Sequence, residues 1–585
     1  MPSASDGMSM GSVMTTAMTP FARTLVRQST HDIASANASE MAVEVNATPM
    51  ELRHAVANCS VPNTARASGL ASRENMPMSG STAATRKKAA STMRVRLSFP
   101  ARLTAAYRSM KRASESILIR RFFTTWVLCR TNVRAKGVIA VVMTLPMLIP
   151  SLALGMGLVF LLGSNGVITN ALGLDFSLYG FWGIVMGSVL YSFPSAFLLL
   201  YDVLKYEDAS PYEAADVLGV PKRSQFLRIT MPYLRKPLIS AVFATFTLVV
   251  TDYGVPLMVG GKTTTLPVLM YQEVIGLLNY DTGVAIGFVL LIPAIVAFLI
   301  DVLNADKGKS SFVSKRFSIA RSAVRDVLGY ALAAIVSVAI ILPLGSFVLV
   351  SFVKKYPVDM AVTFDNVGRA LNMNAGDYWF NSIVIACLVA LVGTTLAYFA
   401  AYITARMGGR FAKLLHLVCI TTLAIPGLVL GLSYVLFFKG SVLYGTLAIL
   451  VLVNLVHFFA SPYLMAYNSL GKANENLEAV GSTMGIGRAS ILKDVLIPQT
   501  MDTIIEMAGY FFVNCMVTIS AVAFLATTLD MPLALLITDL DAQRLTECAA
   551  FVSLIILLTN IASKLVLAGI KKAIHRAEAP EAFAA

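Results

Sequence analysis

The feature that most limits what this chain can fold into is a succession of apolar runs. Each is long enough to cross about 30 Å of hydrocarbon as a helix. They lie at about 137–162, 178–204, 238–258, 285–303, 327–350, 381–403, 414–438, 443–467, 504–525 and 549–567. Of 585 residues, 56% are hydrophobic and only 14% charged, whereas a soluble domain carries about a quarter charged residues. Lipid is therefore the solvent for most of the chain. The expected fold is all-α, a polytopic transmembrane bundle of about ten helices. Pro, Gly and isolated polar residues interrupt many runs, which bundled helices tolerate better than a lone lipid-facing span.

The formal net charge of +14 sits beside the apolar runs rather than in one patch, which argues against nucleic acid as a partner. One set of loops holds Lys222, Arg223, Arg228, Arg235 and Lys236, then Lys307, Lys309, Lys315, Arg316 and Arg321, then Arg406, Arg410 and Lys413. Arg488, Lys493 and the Lys571–Lys572–Arg576 tail belong to the same side. The alternate loops carry Asp175, Asp281, Asp530, Asp539 and Asp541, with Lys262, Lys354, Lys355, Lys439 and Arg544 as exceptions. By the positive-inside rule the basic set and both termini face the cytoplasm. The six cysteines form no CxxC pair and no Cys/His cluster at ligand spacing, so neither a disulfide framework nor a metal site is indicated. No cofactor is expected.

The chain also repeats itself. "FTTWVLCRTNVRAKG" (123–137) matches "FAAYITARMGGRFAK" (399–413) without a gap, and the same register pairs "IPSLALG" (149–155) with "IPGLVLG" (425–431). Further on, "ITMP" (229–232) parallels "VLIP" (495–498). The expected organisation is a low-complexity, disordered arm (1–121), a first repeat (122–304), a basic linker (305–326), a second repeat (327–575) and a tail (576–585). The second repeat shows six helices; the first shows counterparts of only the last four. Either the arm replaces two helices, giving a product without function, or the reading frame upstream of about Phe122 is wrong. The second explanation is preferred, because "FFTTWVLC" reads as a membrane helix cut short.

One polar loop is patterned. In "EAADVLGVPKRSQFLRITMP", Glu213-Ala214-Ala215 precedes Gly219 by three residues, and Ile229 and Pro232 follow at fixed distance. This reads as a short helix with small residues for close packing, a left-handed glycine stop, a second short amphipathic helix, and a membrane helix with proline in its first turn. The full spacing resembles the signature of ABC importer membrane subunits. The resemblance implies that the loop docks on a cytoplasmic ATPase and that ATPase closure rocks the helices. In the second copy, "LEAVGSTMGIGRASILKDVLIP", Gly485, Val495 and Pro498 align, but Ala479 stands at the acidic position and Glu478 one place earlier. Two such loops imply two copies of the ATPase, a separate polypeptide. The Walker-like "GGKTTT" (260–265) lacks the glycine a phosphate loop needs, having Pro256 there. An extracytoplasmic solute-binding protein and membrane lipid are the other implied partners, and the bacterial inner membrane is the implied location. The chain is then a transport subunit, not an enzyme.

For cargo, "LYGFWGIVMGSVLYSFP" (178–194), "TDYGVPLMVGGKTTTLPVLMYQEVIG" (251–276), "LYGTLAILVLVNLVHFFASPYL" (443–464) and "FFVNCMVTISAVAFL" (511–525) resemble a fused two-repeat subgroup. That subgroup contains 2-aminoethylphosphonate permeases, with ferric-iron permeases next to it, and the resemblance implies the phosphonate as cargo. Polar groups within apolar runs are candidates for a pathway, because hydrocarbon penalises them. They are Asp252 and Tyr253, Asn454 and His457, and Asn514 and Ser520; the alternative is that they only hydrogen-bond neighbouring helices. The rival function is an ion-coupled secondary transporter, for which Asp252 is the one carboxylate worth considering and which leaves the loop spacing without a purpose.

Overall fold

The computed structural model describes residues 125–304 and 322–578, apart from 126, 128, 134, 174–176, 206 and 475. The expected arm, residues 305–321 of the linker and residues 579–585 lie outside the described residues. Within them the chain is helical, with one small antiparallel hairpin, Val353–Lys355 with Asp359–Val362. Seven helices are long and apolar enough to cross a membrane, or up to nine if each of two sharply bent helix pairs is one crossing. The polytopic all-α bundle read from the apolar runs is therefore present.

The continuity of the crossings is corrected. The run at 137–162 is a Lys136–Thr144 helix, a tight turn at Leu145–Leu148, a break at Ile149-Pro150, and a Ser151–Leu162 helix. The run at 414–438 repeats this design: Gly409–Thr421, a tight turn at Thr422–Ala424, a break at Ile425-Pro426, then Gly427–Phe438 at 107° to what precedes it. Each proline lacks an N–H and drives the residue before it out of helical geometry; Ile149 and Ile425 are both extended. The run at 238–258 belongs to a helix that begins at Met231 and stops at Thr251, followed by extended Asp252 (φ −76°, ψ 133°) and a short Gly254–Val259 helix. Pro256 is the local reason, since it can give no N–H to the Asp252 carbonyl four residues back. The run at 504–525 likewise ends early. Met501–Val517 is helical, Thr518 is extended (φ −70°, ψ 135°), and 518–532 contains no helix. No proline stands at that break, and local propensity does not account for it. Finally, the run at 443–467 bends by 50° between Leu447–Phe458 and Ala460–Lys472.

Small residues let these pieces cross closely, which is how helices pack where lipid is as apolar as leucine. The vacant side of Gly157 is filled by the Pro343 carbonyl oxygen, 2.8 Å from where a Cβ would stand, and that of Gly393 by the Phe511 ring, also at 2.8 Å. The main apolar core runs from Met143 through Phe347 and Phe511 to Leu557, with smaller clusters around Leu200 and Leu234 and around Leu178 and Val255. Polar ties cross it. Buried Asn560, in the Thr546–Glu578 helix, donates to the Leu148 carbonyl at 2.8 Å, one residue ahead of the first proline break. Tyr356, beyond the first hairpin strand, donates its hydroxyl to the Phe160 carbonyl and its N–H to Glu547.

Gly157→Val drives a side chain into fixed backbone and should lower stability by about 1–3 kcal/mol, the usual penalty of overpacking. Gly345→Ala, on the same helix as Pro343 but facing open space, should be neutral within about 0.5 kcal/mol. Thermal unfolding in detergent, read by size-exclusion of the surviving fraction, compares the two.

Candidate translocation cavity and loop motifs

The four breaks meet. A cavity of about 260 Å³ is lined by Ile149 and Ser151 at the first break, Ile425, Pro426 and Gly427 at its counterpart, Thr251 and Asp252 at the third, and Val517 to Ser520 at the fourth. Tyr191 and Ser195 line it from the Phe181–Lys205 helix, and His457 and Ser461 line it from the bent pair at 447–472. In the register that pairs the turns Phe226–Thr230 and Leu492–Leu496, Tyr191 stands opposite His457, Ser195 opposite Ser461, and Asp252 opposite Thr518. The cavity is thus built twice over, from equivalent places in both halves of the described chain.

The crossings in its wall show a reciprocal exchange. A Cβ on Gly254 would stand 2.4 Å from the Ser151 hydroxyl oxygen, and one on Gly427 would stand 2.3 Å from that of Ser520. Gly254 pairs with Ser520 and Ser151 with Gly427 in the repeat registers. Each crossing therefore uses one serine and one glycine, with the partners swapped.

Of the polar residues singled out from sequence, Asp252, His457, Asn514 and Ser520 line the cavity. Asp252 is 8% exposed and accepts from the N–H groups of Gly254 (3.3 Å) and Val255 (3.1 Å), so it also caps the short helix that follows. Asn514 donates to the Tyr510 carbonyl at 2.8 Å. Tyr253 and Asn454 are not in the cavity wall. Tyr253 is fully buried with its ring stacked on Tyr271 at 5.1 Å between centroids, and Asn454 donates to the Leu450 carbonyl one turn back. Sequence reasoning missed Tyr191, Tyr510, Ser195, Ser461 and Thr518. The repeat register already pairs Ser195 with Ser461, so internal alignment was the signal available for that pair.

The two loop motifs fold alike. Ser210–Val217 ends at Gly219 (φ 68°), and Leu477–Thr483 ends at Gly485 (φ 74°). Each stop is a Schellman closure: Val220 N–H donates to the Ala215 carbonyl at 2.9 Å, and Ile486 N–H to the Gly481 carbonyl at 2.8 Å. The second short helix expected after Gly219 is instead the beginning of the membrane helix, which runs from Lys222 through the wide turn at Phe226–Thr230 to Thr251. In the first loop, Lys222 and Gln225 both donate to Asp216 at 2.6 Å, and their hydrogen bonds hold the Asp216 carboxyl below its ordinary range. In the second, Ile491 packs on Gly481 in the corresponding place.

Glu213, Ala214, Ala479, Val495 and Pro498 are exposed; Ala215 is buried and Ile229 half-buried. Glu478 turns inward. Arg406 donates to both its carboxylate oxygens and also to the carbonyls of Ala473 (3.1 Å) and Asn474 (2.7 Å). Hydrogen bonding from Arg406 holds the Glu478 carboxyl below its ordinary value. In the first loop Arg130, which pairs with Arg406 in the repeat, donates instead to Glu207, and Tyr212 bridges Glu207 to the Thr230 hydroxyl (2.7 Å). Burial pushes the Glu207 carboxyl up, the Tyr212 and Arg130 contacts opposing it.

Comparison with known proteins agrees with this doubled design. Residues 124–306 and 393–576 match the family described as the binding-protein-dependent transport system inner membrane component. The chain is 25% identical over 423 residues to a candidate ferric transport system permease protein, FbpB 1, of Haemophilus influenzae, covering 69% of this chain and 67% of the relative. It is 26% identical over 402 residues to the ferric transport system permease protein FbpB of Actinobacillus pleuropneumoniae, covering 66% of this chain and 58% of that protein's length. A shorter stretch of 156 residues is 34% identical to the molybdenum transport system permease protein ModB of Azotobacter vinelandii, covering 26% of this chain and 69% of the relative.

Removing the Asp252 cap by Asp252→Ala should cost about 0.5–2 kcal/mol of stability. Asp252→Asn, which keeps one acceptor, should cost less. Unfolding in detergent orders the three proteins, and an alanine variant as stable as the parent would show that the cap bears no load.

Proposed function

From the premise that the chain belongs to the family of binding-protein-dependent transport system inner membrane components, we propose that it is the permease of an ABC importer whose cargo is ferric iron. The observation that carries the cargo is the sign of the cavity wall. It contains the carboxylate of Asp252, hydroxyls, two phenols and the His457 ring, and no lysine or arginine. A buried carboxylate with no cationic neighbour repels an anionic group and welcomes a cation. Asp252 would pair with the ammonium of 2-aminoethylphosphonate, but its phosphonate oxygens would find no lysine or arginine in the wall. Carboxylate and phenol oxygens suit a hard cation and imidazole suits iron; among the described residues no three His, Cys, Asp or Glu side chains converge to hold a metal, in keeping with passage rather than tight binding. The names of the ferric relatives point the same way.

The mechanism is alternating access. The loops at Glu213–Pro232 and Glu478–Pro498 face the cytoplasm and each receives one copy of a separate ATPase, while a solute-binding protein delivers cargo from the other side. Large apolar side chains stand at the loop tips, Val217 at 89% exposure, Leu218 at 78% and Met484 at 70%, and such patches on a polar loop fit a partner surface. Glu213, Ala214, Ala215, Gly219, Ile229 and Pro232, with Ala479, Gly485, Val495 and Pro498, form the docking elbows. Glu478 serves the elbow from within. ATPase closure moves the elbows, the breaks around the cavity shift, and Asp252, Asn514 and Ser520 pass the cargo without holding it tightly.

Uptake of radiolabelled ferric iron by cells carrying the chain with its neighbouring transport genes should fall at least tenfold in Asp252→Asn and in Gly219→Trp, both inserted normally in the membrane. Excess 2-aminoethylphosphonate should not compete. Iron uptake that persists in Gly219→Trp would count against the docking role. Competition by the phosphonate would overturn the cargo, and transport without any ATPase would favour a secondary transporter.

A further inference from the structure

The two halves agree on an arginine and disagree on its acid. Arg130 and Arg406 occupy equivalent repeat positions, and their side chains are 12% and 5% exposed. Arg130 is paired with Glu207, whose side chain is 3% exposed, and Arg406 with Glu478 at 14%. The two glutamates are not equivalent. The register that pairs Phe226 with Leu492 sets Glu207 opposite Ala473 and Tyr212 opposite Glu478.

At the first junction the carboxylate sits at the entry of the loop. Tyr212 on the elbow helix completes it, donating to Glu207 with its ring 5.3 Å from the Arg130 guanidinium carbon. At the second the carboxylate sits on the elbow helix, and the entry of the loop completes it through the backbone carbonyls of Ala473 and Asn474. Both seats touch the arginine in both halves; the acid occupies one seat or the other.

A buried arginine demands an acid, because an unpaired charge out of water is strongly destabilising. That requirement alone does not explain why each junction spans the same three places: the arginine, the loop entry and the elbow helix. Arg406 terminates the crossing Ala375–Met407, and Tyr398 in that helix also hydrogen-bonds Thr500 at 2.8 Å, where the membrane helix after the second elbow begins. At the first junction Tyr212 reaches Thr230, in the wide turn that opens the corresponding helix. What the two halves share is the connection, and the residues that make it differ.

We propose that the Arg130–Glu207 and Arg406–Glu478 junctions are the linkage through which each elbow passes its motion to the segment that carries the arginine, in the second half the crossing Ala375–Met407. We propose further that the two acid seats, 207/473 and 212/478, are interchangeable. These are positioning residues and touch no cargo. The inference rests on the elbows being the ATPase docking sites.

The test reads coupling without cargo. A cysteine replaces Ser461 in the cavity wall of a chain whose six cysteines are changed to alanine. The protein is purified with the ATPase it captures, and labelling by a membrane-impermeant maleimide is timed with and without ATP and vanadate. The parent should change its labelling rate at least tenfold on trapping. Glu207→Ala and Glu478→Gln should each retain the ATPase and its hydrolysis while losing most of that change. Glu207→Ala combined with Tyr212→Glu, which moves the first acid to the seat used in the second half, should restore at least half of it. Thermal unfolding of every variant separates lost coupling from lost fold. Full response in both single variants overturns the linkage, and a double variant that folds but stays silent overturns the interchange. Failure of the parent to capture an ATPase refutes the docking premise instead.

Discussion

Hydrocarbon offers a backbone no hydrogen bonds, so a membrane chain leaves helical geometry only where protein or a polar cavity receives the freed groups. The rest of this structure depends on that constraint. Four departures from helix, at Pro150, Asp252, Pro426 and Thr518, are gathered at one place and open onto one cavity. Some of their polar groups are met individually: Asp252 takes two N–H groups of the segment that follows it, and Asn560 takes the carbonyl of Leu148. A break and a cavity are in this sense one feature, since each supplies what the other requires.

Doubling gives the cavity its shape, and divergence gives it a sign. Equivalent positions line it from both halves, yet one half contributes an aspartate where the other has threonine, and a tyrosine where the other has histidine. The serine–glycine exchange in its wall keeps the close approach while reversing which side gives way. The elbows diverge in the same manner, a polar clamp around Asp216 in one and an apolar clamp of Ile491 on Gly481 in the other.

The architecture was legible because its signals are strong and local. Runs of about 20 apolar residues identify membrane crossings, and the spacing of Glu213, Gly219 and Pro232 identifies the elbow, whose glycine adopts the left-handed geometry expected of it. The breaks were less legible. Hydropathy sees no difference between a straight helix and one interrupted at Asp252 or Thr518, because the residues on both sides are equally apolar. Proline marks three of the four, Pro150, Pro426 and, four residues past Asp252, Pro256, but proline also lies within the unbroken helices Phe181–Lys205 and Ala323–Ser351. Tyr191 and Tyr510 were passed over because tyrosine is common in apolar cores, and only three-dimensional convergence shows which tyrosines meet. Glu478 looked like a displaced docking residue; its pairing with Arg406 is a long-range contact that no local pattern encodes.

The tie from Asn560 to Leu148 joins residues 412 positions apart, and this bears on how the protein is made. Ribosomes deliver the amino-terminal crossings to the translocon first, and the kink at Pro150 must wait there without that brace until the final helix emerges. A segment made early in synthesis is therefore braced only late, when the Thr546–Glu578 helix has emerged.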